Sequence, residues 1–121
     1  MRPVAGPRVR ARAWVEWDGQ ALLGPGHARL LEAIELSGSI AAAAAEVGVA
    51  YRTAWGWIRR MNAALGRPLV EATHGGAAKG GAVLTRAGRD ALAAFQAVAA
   101  RLDGFVADAQ AEVSGILRDR D

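Results

Sequence analysis

With 121 residues and a formal net charge of +3, the chain has the size of one modest domain. Hydrophobic residues make up 52% of it, too many for a disordered tail, and it holds no Cys, which excludes disulfides and thiolate metal sites and fits a reducing cytoplasm. No apolar run approaches the roughly 20 residues of a membrane span, and no long apolar stretch follows Met1-Arg2-Pro3-Val4, so neither a transmembrane segment nor a signal peptide is expected.

Charge is unevenly distributed. Residues 1–86 carry 11 Lys/Arg against 6 Asp/Glu, and residues 87–121 carry 4 against 6. Lys79 is the only Lys, so the basic part is an arginine part. Arginine suits bidentate contacts to phosphate and guanine, although a GC-rich genome produces the same bias.

In chain order, residues 1–9 are Pro-, Gly- and Arg-rich and read as a flexible basic arm. Arg10 to Trp17 alternates, Asp18-Gly19 is a hairpin-turn signal, and Gln20 to Leu23 is the return strand. Gly24-Pro25 opens a helix with Leu30, Leu31, Ile34 and Leu36 on its apolar side, and Ser37-Gly38 ends it. Ser39 is the N-cap of a short Ala-rich helix, Ile40 to Val47, closed by Gly48. A third helix runs from about Ala50 to Leu65 and stops at Gly66 and Pro68. A strand at Leu69–Ala72, a glycine-rich loop to Gly81 and a strand at Ala82–Leu84 follow. Thr85 caps a last helix reaching about Leu117. The expected fold is therefore mainly α: a winged helix-turn-helix over residues 10–85, with an N-terminal β-hairpin, and a dimerisation helix over residues 86–121.

Residues 40–60 carry the helix-turn-helix signal. Ala44 is small where the two helices meet, and Gly48 supplies the positive φ of the tight turn. Val49, Ala54 and Ile58 face inward, and Trp57, Met61 and Leu65 extend that face. Plain helical hairpins share this spacing. The outward residues are Tyr51, Arg52, Thr53, Trp55, Gly56, Arg59 and Arg60. Arg52 is placed to read guanine and Thr53 a thymine methyl, with Arg59 and Arg60 suited to phosphates. Gly56 costs a helix about 1 kcal/mol relative to Ala, which close approach of the backbone to DNA would offset. Trp55 is divided between core packing and DNA contact; Trp57 reads as core.

The loop Thr73–Gly81 holds His74 and Lys79 among its glycines. It lacks the spacing and the Ser/Thr of a P-loop. It reads as a wing whose His74 and Lys79 touch phosphate or the minor groove, or as a hairpin tip that touches nothing. Arg8, Arg10 and Arg12 form either a second phosphate contact or solvated surface.

Along the last helix, Leu92, Phe95, Ala99, Leu102, Val106, Ala109, Val113 and Ile116 recur at spacings of 3 and 4, widened by Val98, Phe105 and Leu117. About 30 helical residues span about 45 Å, more than so small a domain covers. The seam therefore predicts an antiparallel or crossed helix pair in a homodimer.

Leu36-Ser37-Gly38-Ser39-Ile40, Tyr51, Ala54-Trp55, Met61-Asn62, Leu69-Val70-Glu71 and the run from Gly75 to Arg86 carry a family resemblance. The stretch from Leu30 to Thr85 resembles the N-terminal domain of the ModE family, the molybdate-responsive transcriptional regulators of bacteria, and more loosely the LysR-type DNA-binding domain. The resemblance implies a winged-helix dimer reading a palindromic operator of double-stranded DNA, with Tyr51, Arg52, Thr53 and Trp55 on the recognition helix and Gly75 to Gly81 as the wing. It implies genes of molybdate uptake and molybdoenzymes as targets. Full-length members continue into molybdate-binding β-barrels; the chain ends at Asp121, so no cofactor and no direct molybdate binding is expected of it.

The expected function is sequence-specific transcriptional regulation in the cytoplasm, with no metal and no catalytic residue. The alternative is an adaptor that uses the winged helix for protein contacts alone. With two His, no Cys and no acidic pair beside a nucleophile, an enzyme is not expected.

Overall fold

The computed structural model describes residues 6–73 and 81–118, which form two compact units. The larger is Trp14–Gln96. It begins with a hairpin, β1 (Val15–Trp17) and β2 (Gln20–Leu23), turned at Asp18 (φ 49°) and Gly19 (φ 79°), the two left-handed positions that a tight hairpin turn requires. The strand expected from Arg10 starts only at Val15, because β2 has four residues to pair with and the register already shifts between Val15 and Glu16.

Helix α1 (Pro25–Ser37) follows, with Pro25 in the first turn, where its missing N–H costs nothing. It is stopped by Gly38 in the left-handed conformation. Leu30, Leu31 and Ile34 are fully buried, whereas Leu36, expected on the same side, is 89% exposed. Positions 30, 34 and 31 share one stripe of a 3.6-residue helix, and 36 falls outside it. Helix α2 (Ile40–Val47) is capped by Ser39, whose Oγ accepts from the Ala42 N–H at 3.1 Å. Helix α3 (Tyr51–Leu65) buries Ala54, Ile58 and Met61.

The wing pairs β3 (Val70–Ala72) with β4 (Ala82–Leu84) in antiparallel register, Val70 opposite Leu84. Its base is tied to the corner between α1 and α2: the Ala82 N–H donates to the Gly38 carbonyl at 2.9 Å, and Ser39 bridges Gly81. Helix α4 (Arg86–Arg118) starts at Thr85, whose Oγ1 accepts from the Gly88 N–H at 3.0 Å and donates to the Pro68 carbonyl at 2.7 Å. A Cβ at Gly88 would run into the Leu69 carbonyl oxygen, so only glycine allows this helix so near the strand.

The first turns of α4 belong to this unit. Leu92 and Phe95, expected in the dimer seam, are 4% and 6% exposed within the single chain. Burying such side chains stabilises by about 1.5–3 kcal/mol each, and that surface already serves the domain's own core. The larger unit thus extends about three helical turns into α4, to Gln96.

The smaller unit joins residues 97–118 of α4 with residues 6–13. Residues 7–14 contain no helix, turn or bend. The Gln110 side chain holds this arm by its backbone: Oε1 accepts from the Val9 N–H at 2.8 Å, and Nε2 donates to the Pro7 carbonyl at 2.9 Å. The same Nε2 donates to Ser114 Oγ at 2.8 Å. Residues 7 and 9 of the arm are thus held by one side chain, because an amide offers a strand's donor and acceptor pair in one group.

Candidate nucleic-acid interface

The helix-turn-helix is built by the turn at Gly48. The Gly48 N–H donates to the Ala44 carbonyl at 2.9 Å, and the φ of 84° at Gly48 turns the chain so that the Val49 N–H reaches the same oxygen at 3.0 Å. Ala44 is 2% exposed, so the small side chain the close crossing needs is present. Val49 is half-buried beneath the turn.

With Ala54, Ile58 and Met61 buried, the opposite face of α3 is fixed by helical periodicity. Arg52, Gly56 and Arg59 lie along it, with Arg52 and Arg59 exposed. Nothing stands within 4 Å of the position a Cβ would take at Gly56. The gap is open to an incoming surface. Thr53 and Arg60 are exposed on one flank.

Tyr51, Trp55 and Arg59 form a row at four-residue spacing on the other flank. The rings of Tyr51 and Trp55 meet edge to face with centroids 6.3 Å apart, and the Arg59 guanidinium lies 5.9 Å from the Trp55 ring centroid. Together with Arg52 they line a shallow groove. Trp55 is half-buried and belongs to this surface row. Trp57 sits on the other side, edge to face with His27 at 4.8 Å and against Gly26. Spacing alone did not reveal the Arg59–Trp55 stack, although the i, i+4 relation was its signal.

His74 and Lys79 lie outside the described residues. The base of the wing is described, and its bonds to Gly38 and Ser39 set its direction from the start of the helix-turn-helix. That anchor was not read from sequence, since a single backbone bridge leaves no pattern in side chains. Among the described residues no group of three His, Cys, Asp or Glu could hold a metal ion. No helix there is long and apolar enough to cross a membrane.

Beyond Leu92 and Phe95, the expected seam is half-buried at Ala99, Leu102, Val106, Ala109 and Val113 and 52% exposed at Ile116. Phe105 is 60% exposed, and Val98 and Leu117 are also exposed.

The comparisons with known proteins agree with this geometry. Molybdenum-pterin-binding protein MopB of Rhodobacter capsulatus is 49% identical over 80 residues, 66% of this chain and 30% of that protein. The DNA-binding transcriptional dual regulator ModE of Escherichia coli is 41% identical over 75 residues, 62% of this chain and 29% of its own. Molybdenum transport protein ModE of Azotobacter vinelandii is 41% identical over 91 residues, 75% and 34% respectively. The chain thus spans about a third of the length of these relatives. The family model of bacterial regulatory helix-turn-helix proteins of the lysR family matches residues 25–89, the stretch from the start of α1 into α4. On that match, over more than half its length, the chain belongs to the lysR family of bacterial regulatory helix-turn-helix proteins.

Proposed function

We propose that the chain is a sequence-specific DNA-binding transcriptional regulator of molybdenum-linked genes, acting as a homodimer on a palindromic operator and without enzymatic activity. The observation that carries the reading is the outward face of α3: Arg52 and Arg59 exposed on either side of an open Gly56, on the second helix of a helix-turn-helix. Arg52, in the first turn, is placed for a guanine edge, with Thr53 beside it. Arg59 and Arg60, two turns on, suit phosphates, as do His74 and Lys79 of the wing. The Trp55 ring restrains Arg59 and lowers the conformational entropy lost on binding. The molybdenum link rests on the names of the relatives.

The dimer reading is supported by α4. Val98, Phe105 and Ile116 are 7 and 11 residues apart, close to whole numbers of helical turns, so their exposed side chains fall on one face. Leu102, Ala109 and Val113 border it. A dimer through this face supplies the second recognition helix that a palindrome requires.

Duplex DNA titration at about 50 and 200 mM salt tests the reading: a regulator with several phosphate contacts loses about 10³–10⁵ in affinity across that range. An adaptor working through protein contacts alone would show no retention on DNA at either salt.

A further inference from the structure

We propose that the N-terminal arm is a second DNA-binding element: a preformed arginine rail, held against α4 by Gln110, that grips the phosphate backbone independently of α3. The inference rests on the DNA-binding reading above and goes beyond it, since residues 6–13 lie outside the matched family region.

Three observations carry it. First, the arm is fixed by its main chain: both Gln110 bonds engage backbone groups of Pro7 and Val9, and no arm side chain is used in them. Second, the two residues that Gln110 fixes, Pro7 and Val9, are half-buried, as is Ala13, while Arg8, Arg10 and Arg12 are exposed, together with Ala11. Third, among the described residues no hydrogen bond or ion pair engages those three guanidinium groups, and residues 1–13 contain four Arg and no Asp or Glu. Like charges crowded on one exposed segment repel, and an anionic partner relieves that more fully than the three acidic residues of α4 described in the same unit, Asp103, Asp108 and Glu112, which form no ion pair with them.

The chemistry selects a phosphate backbone. Alternate residues of an extended segment stand about 6.7 Å apart, a spacing that lets consecutive arginines meet different phosphates along one strand. Guanidinium groups form bidentate bonds with phosphate oxygens. Between Arg10 and Arg12 the arm carries no large apolar residue, only Ala11, so the segment itself presents charge rather than an apolar edge. Gln110 is a positioning residue here: it touches no ligand, and it spares the arm the entropy loss that ordering on DNA would otherwise require.

The test compares the 121-residue chain with its R8Q/R10Q/R12Q and R8K/R10K/R12K variants on one duplex across a salt series. Each phosphate contact contributes about 0.9 to the slope of log affinity against log salt. The glutamine variant is expected to lower the slope by about 2–3 and to leave relative preference among sequences unchanged. The lysine variant is expected to keep most of the slope, because charge is preserved. A glutamine variant with the wild-type slope overturns the rail and leaves the α3 reading standing. A wild type without salt-dependent affinity for duplex DNA overturns both.

Discussion

Arg52 and Gly56 stand one helical turn apart at the middle of the outward face of α3, and their chemistry is separable. Arg52→Ala should cost about 1–3 kcal/mol on a specific site and relax preference at one position per half-site. Titrating a matched set of single-base operator variants checks this. Gly56→Ala fills open space, so it should raise thermal stability by about 1 kcal/mol through helix propensity alone. The same methyl group should weaken DNA binding if the helix backbone approaches the groove. Calorimetric melting and a DNA titration on the one variant read both effects, and a variant that is more stable with unaltered affinity would remove Gly56 from the interface. Gly88→Ala should do the reverse. Its Cβ meets the Leu69 carbonyl, so overpacking of about 1–3 kcal/mol should appear as a lower melting temperature, with any loss of DNA affinity following the loss of fold.

At the scale of elements, local chemistry made much of the fold legible. Asp18-Gly19, Gly38, Gly48 and Gly66 adopt the left-handed conformations that turn and cap signals imply, and Ser39 and Thr85 cap the helices they precede. Such signals need no knowledge of a distant partner. The alternation from Arg10 to Ala13 did need it. A period of two suggests a strand with one covered side, but Arg10, Ala11 and Arg12 are all exposed, and the segment continues an arm that Gln110, about 100 residues away, holds at Pro7 and Val9. The stripe on α4 was ambiguous in the same way. Heptad spacing marks apolar faces, but it does not say that Leu92 and Phe95 go to the domain core while Val98 and Phe105 stay exposed. Phe105 is therefore the sharper probe of the dimer. Phe105→Glu places a charge on the exposed face without touching the domain core, so it should give a folded monomer with weakened operator affinity. Sedimentation velocity at micromolar concentration with circular dichroism checks it, and an unchanged sedimentation coefficient would move the interface elsewhere.

In the whole molecule, a basic winged helix-turn-helix is followed by a helix with an exposed apolar face at Val98, Phe105 and Ile116, and the proposed function uses both. One recognition helix reads a half-site of few base pairs, which is too little information to single out a site among the roughly 10⁶–10⁹ competing positions of a genome. Two helices related by a twofold axis double the information and impose a spacing of about 34–36 Å, or a multiple of it, between half-sites. Selection of bound duplexes from a random-sequence library, with the 121-residue chain at physiological salt, measures specificity and symmetry together. The predicted result is enrichment of an inverted repeat whose half-sites are centred about 10 base pairs or a multiple apart, with a guanine preference in each half-site that disappears in the Arg52→Ala variant. Recovery of sequences with no common motif, at affinities that fall with salt alone, would contradict it.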